Sequence, residues 1–363
     1  MLRNLTVNLM AAFISDREKR HAFRNKYRRL SKFRKLRDDN RRLFDDNQRL
    51  FNENIEIKRN LNALRQQLLD VEKTIFLTPR LKPLDNESTP KNPKVYLSVA
   101  SIARNEGPYI KEWIEYHKIV GVERFYFYDN ESSDNTKEVL APYIKDGTVI
   151  YKYVEGDYKI IPTYQDAIYR YQKETRWMAI IDLDEFLVPI EKEDLKDVLQ
   201  EYELYPALVV NWLNFDSNGH DKKPMAHGGL VTANYTRVCK NHNLETKFHT
   251  DRHIKSIVNP NKVITFAVHS GYYYYNDRGV TENFEFFRGT SQTIKHSSKK
   301  IRINHYMSKS KEEYINKVNR NKSHLASIVT PHYDDKLNFS GETADDFAIQ
   351  RFLPKLKKAM GIK

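Results

Sequence analysis

Three carboxylates stand at the end of an apolar run in the segment 177–187, whose sequence is WMAIIDLDEFL. Apolar runs of this length are typical of strands that are buried on both faces of a sheet. Asp182 and Asp184 are two residues apart, so an extended backbone places both side chains on the same side. Their mutual repulsion calls for a cation, and carboxylate oxygens suit Mg²⁺ or Mn²⁺, which usually keep open positions for substrate phosphates. The segment therefore predicts metal-assisted departure of a phosphate-bearing leaving group.

Two other polar clusters follow predicted strands, ARNEGP at 103–108 and DNESSD at 129–134. Segments with strand and helix spacing alternate from Lys94 to Ile181, which predicts a parallel, doubly wound α/β sheet with these clusters at the carboxyl ends of its strands. Loops that converge there form a nucleotide crevice. The chain has neither a G-x-G-x-x-G fingerprint nor a P-loop lysine motif, which disfavours a dinucleotide-binding or ATPase function.

Composition limits the environment of the chain. The 363 residues include a single cysteine, Cys239, so a disulfide within the chain is impossible and a reducing compartment is expected. No run of about 20 apolar residues predicts a membrane-spanning helix. The formal net charge is +13, and residues 1–80 carry +10 of it. The basicity therefore belongs to the N-terminal segment and not to the predicted catalytic body.

The N-terminal segment 1–32 is first apolar and then basic, and residues 17–37 hold eleven Lys or Arg. This order predicts a segment on the surface of an anionic membrane, with residues 1–37 as the contact. The alternatives are a solvated or partner-binding helix and a basic arm for nucleic acid. The apolar side chains favour the membrane, because nucleic acid would not require them: Leu2, Leu5, Leu9, Phe13 and Ile14.

A heptad pattern follows over residues 33–75. Apolar residues recur every seventh position at Leu36, Leu43, Leu50, Ile57, Leu64 and Val71. This period predicts a long coiled-coil helix that joins a homo-oligomer, a dimer or a trimer, and the alternative is a long helix packed on its own catalytic domain. Residues 76–93 hold several prolines and are predicted to be a linker. A globular domain is expected at 94–330, followed by a helical and basic tail at 331–363.

The body of the chain resembles a known family. The stretch SIARNEGPYIKEWIEYHKIVGVERFYFYDNESSDNT and the later IIDLDEFLVP, NWLNFDSNGH, HIKSIVNPNKV and RINHYMSKSKEEYINKVNR are similar to nucleotide-sugar glycosyltransferases of GT-A fold. The resemblance is strongest to glycosyltransferase family 92 and its family 2 relatives, and it covers roughly residues 95–325. It implies a Rossmann-like, doubly wound mixed α/β sheet. With the N-terminal coiled coil, we expect a bacterial-type member.

The resemblance also implies roles for individual residues. Asp182 and Asp184 look like the motif that binds Mn²⁺ or Mg²⁺ against the donor diphosphate, and His305 looks like a further metal ligand or phosphate contact. The remaining donor contacts that it implies are Arg104, Asn105 and Glu106 beside the nucleobase, Asp129 with Asn130 at the uracil or ribose, and Lys255, Lys309 and Lys317 at the diphosphate. His305 could equally be a core histidine, and the lysines could be surface charges.

The reaction expected from these features is inverting transfer of a hexose, by family analogy galactose, from a UDP-sugar to a surface-glycan or lipid-linked acceptor. Inversion needs a carboxylate that deprotonates the acceptor hydroxyl. Glu185 and Asp216 are the main candidates, beside Glu245, Asp251 and Glu282, and the sequence does not choose among them. The enzyme would lie in the cytoplasm on the inner face of the cell membrane. The alternatives are a nucleotidyltransferase at the same metal site, a coiled-coil scaffold with an inactive transferase domain and, weakest, a nucleic-acid binder.

Overall fold

The computed structural model describes residues 16–28, 93–157, 159–243, 250–274, 277–321 and 341–362, together with isolated positions between 10 and 56. Two compact units are present, Met1–Pro79 and Arg80–Lys363. In the first unit, residues 17–28 form a helix. The predicted coiled coil at 33–75 falls outside the described residues except for isolated positions, so it stays a prediction, as does the linker.

The first half of the second unit alternates strands and helices, as predicted. The elements are β1 (Val95–Ala103), α1 (Gly107–Ile119), β2 (Arg124–Asp129), α2 (Thr136–Lys145), β3 (Val149–Tyr153), α3 (Ile160–Tyr171) and β4 (Thr175–Ile180). Strands β3, β2, β1 and β4 pair in that order, and all are parallel. Their carboxyl ends therefore lie along one edge of the sheet.

The second half adds strands of both directions. Its elements are β5 (Glu185–Pro189), α4 (Leu195–Leu199), β6 (Ala207–Asn214), α5 (Val231–Asn234), β7 (Arg237–Cys239), β8 (Ile254–Val258), β9 (Val263–Phe266), β10 (Gly271–Tyr273), β11 (Ile301–His305), α6 (Lys311–Asn321), β12 (Thr343–Asp345) and α7 (Leu353–Met360). The main sheet has the order β3-β2-β1-β4-β8-β6-β11-β5. β8 is antiparallel to β4 and β6, and β5 is antiparallel to β11. The sheet is mixed, as the family resemblance implied, and not purely parallel as the strand order of 94–181 alone would give.

Helix α1 holds the edge strand β5 in place. The Nε1 atom of Trp113 donates to the carbonyl of Glu185 at 2.8 Å, and the Tyr116 hydroxyl donates to the carbonyl of Leu187 at 3.0 Å. His117 accepts from the Leu187 N–H at 3.2 Å through Nε2. These side chains are buried, so the bonds satisfy backbone groups that an edge strand would otherwise leave unpaired. The turn that carries Asp182 and Asp184 is thereby fixed at its far end.

The C-terminal residues belong to the same core. Ile349, Phe352 and Leu356 are buried in the apolar cluster that also contains Trp113 and Tyr116. The described part of the predicted tail therefore packs on the domain. No helix among the described residues is both long and apolar enough to cross a bilayer.

Candidate active site

The polar clusters meet at the carboxyl edge of the parallel strands. Asp129 is the last residue of β2 and pairs with Ala103, the last residue of β1. Asp182 and Asp184 lie in the short turn between β4 and β5. The turn is closed by the Glu185 N–H, which donates to the carbonyl of Asp182 at 3.1 Å. The sheet thus brings the three predicted loops to one side, as the sequence indicated.

Asp182 is the more accessible carboxylate of the pair, with a side chain that is 42% exposed. Its Oδ1 accepts from the Tyr164 hydroxyl at 2.8 Å, and its Oδ2 accepts from Nζ of Lys255 at 2.9 Å. Partial burial opposes ionisation of Asp182, but the charge and hydrogen bond of Lys255 and the hydrogen bond of Tyr164 together hold the pKa of Asp182 below its usual value. Both oxygens of Asp182 therefore already accept a hydrogen bond, while part of the side chain remains exposed to solvent.

Asp184 is buried and faces two other predicted site residues. Its Oδ2 accepts a hydrogen bond from Nζ of Lys317 and lies 3.8 Å from Nε2 of His305. The Tyr306 N–H donates to its carbonyl at 2.8 Å, which fixes the backbone beside His305. Burial disfavours the charged form, but Lys317 and the other surrounding charges prevail and keep the pKa of Asp184 well below its usual range. Asp184 is a permanent anion at neutral pH.

His305 presents a lone pair to that anion. Its Nδ1 lies 2.8 Å from Oδ1 of Asn214, whose Nδ2 donates to Thr250 and Asp251. The amide oxygen of Asn214 is therefore an acceptor, Nδ1 of His305 carries the proton, and Nε2 is unprotonated. Burial lowers the pKa of His305 to about 4, so the ring is neutral at pH 7. Nε2 of His305 and Oδ2 of Asp184 are therefore two acceptors that face each other, a pair that a cation can bridge.

The residues present fit a divalent metal with few protein ligands. Within the described part of the chain, no group of three or more His, Cys, Asp or Glu is arranged around one point. Asp184 and a neutral His305 supply two suitable atoms. Mg²⁺ and Mn²⁺ commonly take one or two protein ligands and complete their shell with water and substrate phosphates. Asp182, whose oxygens are already bound to Tyr164 and Lys255, contributes charge more readily than a ligand atom.

Glu185 is fully enclosed. Its Oε2 accepts from the Asp182 N–H at 3.0 Å, and its Oε1 is 3.9 Å from Nζ of Lys255 with no hydrogen bond from any described residue. Burial raises the pKa of Glu185 well above its usual value, against the opposing charge of Lys255. Lys255 is itself only 1% exposed, and the carboxylates around it raise its pKa in spite of burial. Glu185 therefore lies beneath the turn as a buried group that accepts from the Asp182 N–H and faces the Lys255 ammonium.

The loop Arg104–Glu106 is joined to the loop after β2. Asn105 has φ of 57°, and its Oδ1 accepts from the N–H groups of Ser133 at 2.6 Å and Asp134 at 3.2 Å. Arg104 lies 3.7 Å from Glu131 in an ion pair. A left-handed conformation is tolerated by asparagine because its short side chain bonds locally. Both loops therefore form one wall, and a cavity of ≈ 330 Å³ opens beside Asn105.

Asp129 and Asn130 are bound within this wall. Asp129 is buried, and its oxygens accept from the Ser132 N–H at 2.9 Å and from the Tyr151 hydroxyl at 2.8 Å. The Asn130 amide donates to the carbonyls of Val154 at 3.0 Å and Gly156 at 2.9 Å. Their predicted contacts with the uracil or ribose remain predictions. In this structure both residues shape the loops.

Lys309 lies close to the same cavity. It has φ of 51° and is buried, and its Nζ lies 4.3 Å from the centroid of the Tyr109 ring. Burial lowers the pKa of Lys309. The Tyr109 hydroxyl donates to Glu313 at 2.8 Å, and both residues line the cavity. Lys309 and Lys317 thus bring two cations from the β11–α6 region to the carboxylate edge.

The other base candidates have firm partners. Both oxygens of Asp216 accept from Nε of Arg237, at 2.8 and 2.7 Å. Asp251 is bound by Asn214 and by His242, whose Nδ1 is 3.0 Å away. Glu282 accepts from a run of backbone N–H groups, those of residues 299–301. Glu245 lies outside the described residues. The assignment of Glu185 or Asp216 as the base stays a prediction.

Two residues of the site were missed in the sequence. Tyr164 lies on α3 and donates to Asp182, and Asn214 ends β6 and binds His305. Neither carries a local signal, because a tyrosine in an amphipathic helix and an asparagine at a strand end are both common. The sequence motif NWLNFDSNGH contains Asn214, but only the β6–β11 register connects it with His305.

A family profile decides the relationship. The profile of Glycosyltransferase family 92 matches residues 94–339. The chain belongs to glycosyltransferase family 92. The family 92 profile covers all the site residues named above, from Arg104 to Lys317.

Family 92 relatives are found in plants. Glycosyltransferase family 92 protein Os08g0121900 of Oryza sativa subsp. japonica is 31% identical over 144 residues, which are 39% of this chain and 24% of that protein. Protein At1g27200 of Arabidopsis thaliana is 27% identical and covers 51% of this chain and 32% of that protein. Galactan beta-1,4-galactosyltransferase GALS3 of Arabidopsis thaliana is 29% identical over 30% of this chain and 23% of that protein. The chain thus spans only about a quarter to a third of the length of these curated relatives, and the bacterial type stays a prediction.

Solved structures resemble the family 92 domain distantly. TarS 1-349 of S. aureus in complex with UDP-GlcNAc is 13% identical with a TM-score of 0.35, covering 73% of this chain and 87% of that one. Mannosyltransferase PcManGT of Pyrobaculum calidifontis, in complex with GDP-Man and Mn²⁺, is 17% identical with a TM-score of 0.27, covering 40% of this chain and 42% of that one.

Proposed function

We propose that the domain is an inverting, metal-dependent hexosyltransferase that uses a nucleoside diphosphate sugar, most simply a UDP-sugar. The observation that carries the proposal is the pair of facing acceptors, Asp184 Oδ2 and His305 Nε2, at 3.8 Å beside the cation Lys317. Such a pair binds a divalent ion and leaves positions for a diphosphate. Membership in family 92 supports the reaction class.

Each of the site residues would have its own role in the proposed reaction. A bound Mn²⁺ or Mg²⁺ would supply Lewis-acid stabilisation of the leaving diphosphate. Asp184 and His305 would hold that ion, and Lys317 would turn from Asp184 to the phosphate oxygens. Lys309 adds a second positive charge on the same side, where charge develops as the sugar leaves. The joined loops of Asn105 and Ser133 would orient the nucleoside beside the cavity.

Acceptor activation requires a carboxylate in an inverting reaction, worth typically about 10²–10⁴-fold. Glu185 and Asp216 remain the candidates. The enclosure of Glu185 beside Lys255 weighs against contact with an acceptor, and Asp216 would have to leave Arg237. Parallel kinetics of Glu185→Gln and Asp216→Asn test the choice, because loss of the base flattens the pH dependence of kcat/KM whereas loss of a structural carboxylate lowers stability.

The sugar and acceptor are proposed from the relatives. Two of them are named galactan beta-1,4-galactosyltransferases, which favours galactose as the hexose and a glycan as acceptor.

We also propose that residues 33–75 join a dimer or trimer and that residues 1–37 bind the anionic inner face of the cell membrane. The exposed arginines of the helix at 17–28 support that contact through charge. Deletion of 1–37 should release the protein from anionic vesicles.

The test is a donor screen with product analysis. Purified protein is incubated with Mn²⁺ and each of several nucleotide sugars, and the released phosphate species is identified. Release of a nucleoside diphosphate supports glycosyl transfer or its hydrolytic side reaction. Release of pyrophosphate would show a nucleotidyltransferase instead. Binding of a nucleotide sugar without any turnover, with every acceptor supplied, would show an inactive transferase domain.

A further inference from the structure

The side chains of Asn214 and Asp251 form a buried hydrogen-bonded pair behind His305, here called the relay. Asn214 ends β6 and stands directly opposite His305 in the parallel β6–β11 ladder. Both side chains are buried, with Asn214 at 7% and His305 at 6% exposure. A single hydrogen bond of 2.8 Å joins Asn214 Oδ1 to His305 Nδ1. The partner of the imidazole is therefore set by strand register.

Asp251 fixes the orientation of that amide. Its Oδ1 accepts from the Asn214 N–H at 2.9 Å and from Asn214 Nδ2 at 2.8 Å. The carbonyl of Thr250 accepts from the same Nδ2 at 3.0 Å. With its NH₂ group bound twice, Asn214 can turn only its oxygen to His305. Asp251 itself is fully buried, and burial of a carboxylate is unfavourable unless hydrogen bonds compensate for the lost hydration.

The hydrogen bond to Asn214 selects one of the two neutral tautomers of His305, which differ in their chemistry. With the proton on Nδ1, the Nε2 lone pair faces Asp184 and can bind a metal ion. With the proton on Nε2, an N–H group would face Asp184 at 3.8 Å and the ring would offer no ligand atom there. Metal-binding histidines are generally oriented by a hydrogen bond to the other ring nitrogen.

We propose that Asn214 and Asp251 are positioning residues that hold His305 in the Nδ1–H tautomer and aim its Nε2 at a divalent cation on Asp184. The inference deepens the proposed function and rests on it for the cation. Asn214 acts on His305 directly, and Asp251 acts through Asn214. His242, which binds the second oxygen of Asp251 at 3.0 Å, forms the outer end of the relay.

The test compares Asn214→Leu with a matched control, Asn211→Leu. Asn211 is a buried asparagine three positions earlier on β6, and its amide donates to Thr293, to the carbonyl of Arg252 and, at 3.4 Å, to the backbone carbonyl of Asp251, but not to His305. Titration calorimetry with Mn²⁺ alone should show an affinity about 10–100-fold weaker for Asn214→Leu than for wild type. Asn211→Leu should bind Mn²⁺ like wild type, even if its melting temperature falls by a similar amount.

A second readout needs no metal. In protein labelled with ¹⁵N-histidine at pH 7.5, the His305 signals, assigned by their loss in His305→Gln, should report a proton on Nδ1. Asn214→Leu should shift them toward the Nε2–H form, and Asp251→Asn, whose amide oxygen can still accept from Asn214, should retain the wild-type pattern.

Failure of the proposed metal function and failure of the relay give different results. If wild type binds no Mn²⁺, the proposed metal function fails, and the tautomer spectra alone judge the relay. An Asn214→Leu protein with wild-type Mn²⁺ affinity and wild-type tautomer would overturn the relay while the function stands. Equal loss of affinity in Asn211→Leu and Asn214→Leu would also overturn it, because the effect would then come from general damage to β6.

Discussion

His305 Nε2 and Asp184 Oδ2 lie 3.8 Å apart with no proton available between them, because the proton of His305 is on the side of Asn214. Lys317 supplies the cation that this arrangement requires in the absence of metal. If Asp184 binds a divalent ion as proposed, that ion competes with the Lys317 ammonium group for the same oxygen. This competition leads to a prediction that separates binding from turnover.

Lys317→Met should strengthen Mn²⁺ binding and weaken transfer. Removal of the ammonium leaves Asp184 without its nearest counter-charge, so the affinity for Mn²⁺ should rise several-fold, on the order of 1 kcal/mol. The kcat for transfer should fall about 10²-fold, because Lys317 no longer stabilises the leaving diphosphate. Calorimetry and steady-state kinetics measure the two effects. Equal or weaker Mn²⁺ binding in the variant would contradict the competition.

Lys255 and Glu185 should be strongly coupled in stability. Lys255→Met removes the ammonium group that binds Asp182 at 2.9 Å and lies 3.9 Å from the buried Glu185, so both carboxyl groups lose their cation and the change should cost about 3–5 kcal/mol in the free energy of unfolding. Glu185→Gln in the Lys255→Met background should recover part of that loss. Denaturant unfolding of the two single variants and the double variant measures the coupling. Simple additivity would show that the pair does not act as a unit.

Asn105 should control donor affinity through the shape of its loop. Asn105→Ala removes an acceptor for the N–H groups of Ser133 and Asp134 and places alanine at a φ of 57°. We expect a KM for the donor that rises about tenfold with a smaller change in kcat, since the proposed role of the loop is to orient the nucleoside and not the metal. Asn105→Asp keeps the acceptor and should stay close to wild type. If both variants have the same KM, the loop bonds do not shape the donor site.

His117 should make stability fall in acid. Its ring is fully buried, and burial lowers its pKa from 6.5 to about 3. A depressed folded-state pKa means that its contribution is complete above pH 6.5 and is lost as the pH falls toward 3. Between pH 6.5 and about 4.5, the wild-type free energy of unfolding should therefore fall about 2 kcal/mol more than that of His117→Gln. Urea unfolding of both proteins at the two pH values measures this difference. An equal loss of unfolding free energy in wild type and His117→Gln would refute it.

The sequence predicted the parallel half of the sheet and the edge that carries the site. Each strand from Val95 to Ile180 is a local apolar run, and each is followed by its own polar loop, so local patterns sufficed. The other half depended on contacts between distant residues. Lys255 reaches Asp182 across 73 positions, and Asn214 reaches His305 across 91. No local period encodes such pairs, since the antiparallel pairing of β8 with β4 sets the first and the parallel pairing of β6 with β11 sets the second.

The same limit applies to the roles of carboxylates. Glu185 looked like a candidate base because it adjoins Asp184, but its burial against Lys255 follows from the start of β5 and the anchoring by Trp113. Asp216 was named from its place in a motif, and its ion pair with Arg237 depends on the packing of β7. Residue type indicated the chemistry available, whereas accessibility required the fold.

The most direct test of metal-dependent transfer is the initial rate of nucleoside diphosphate release by wild type and Asp184→Asn, with the best donor and saturating Mn²⁺. The rate should depend on metal in wild type and should fall at least about 10²-fold in Asp184→Asn, with the melting temperature retained. Asp166→Asn, at a carboxylate bound by Lys152 and Arg170, serves as the control and should keep the wild-type rate. An Asp184→Asn protein that releases nucleoside diphosphate at the wild-type rate and still requires Mn²⁺ would show that Asp184 does not hold the metal.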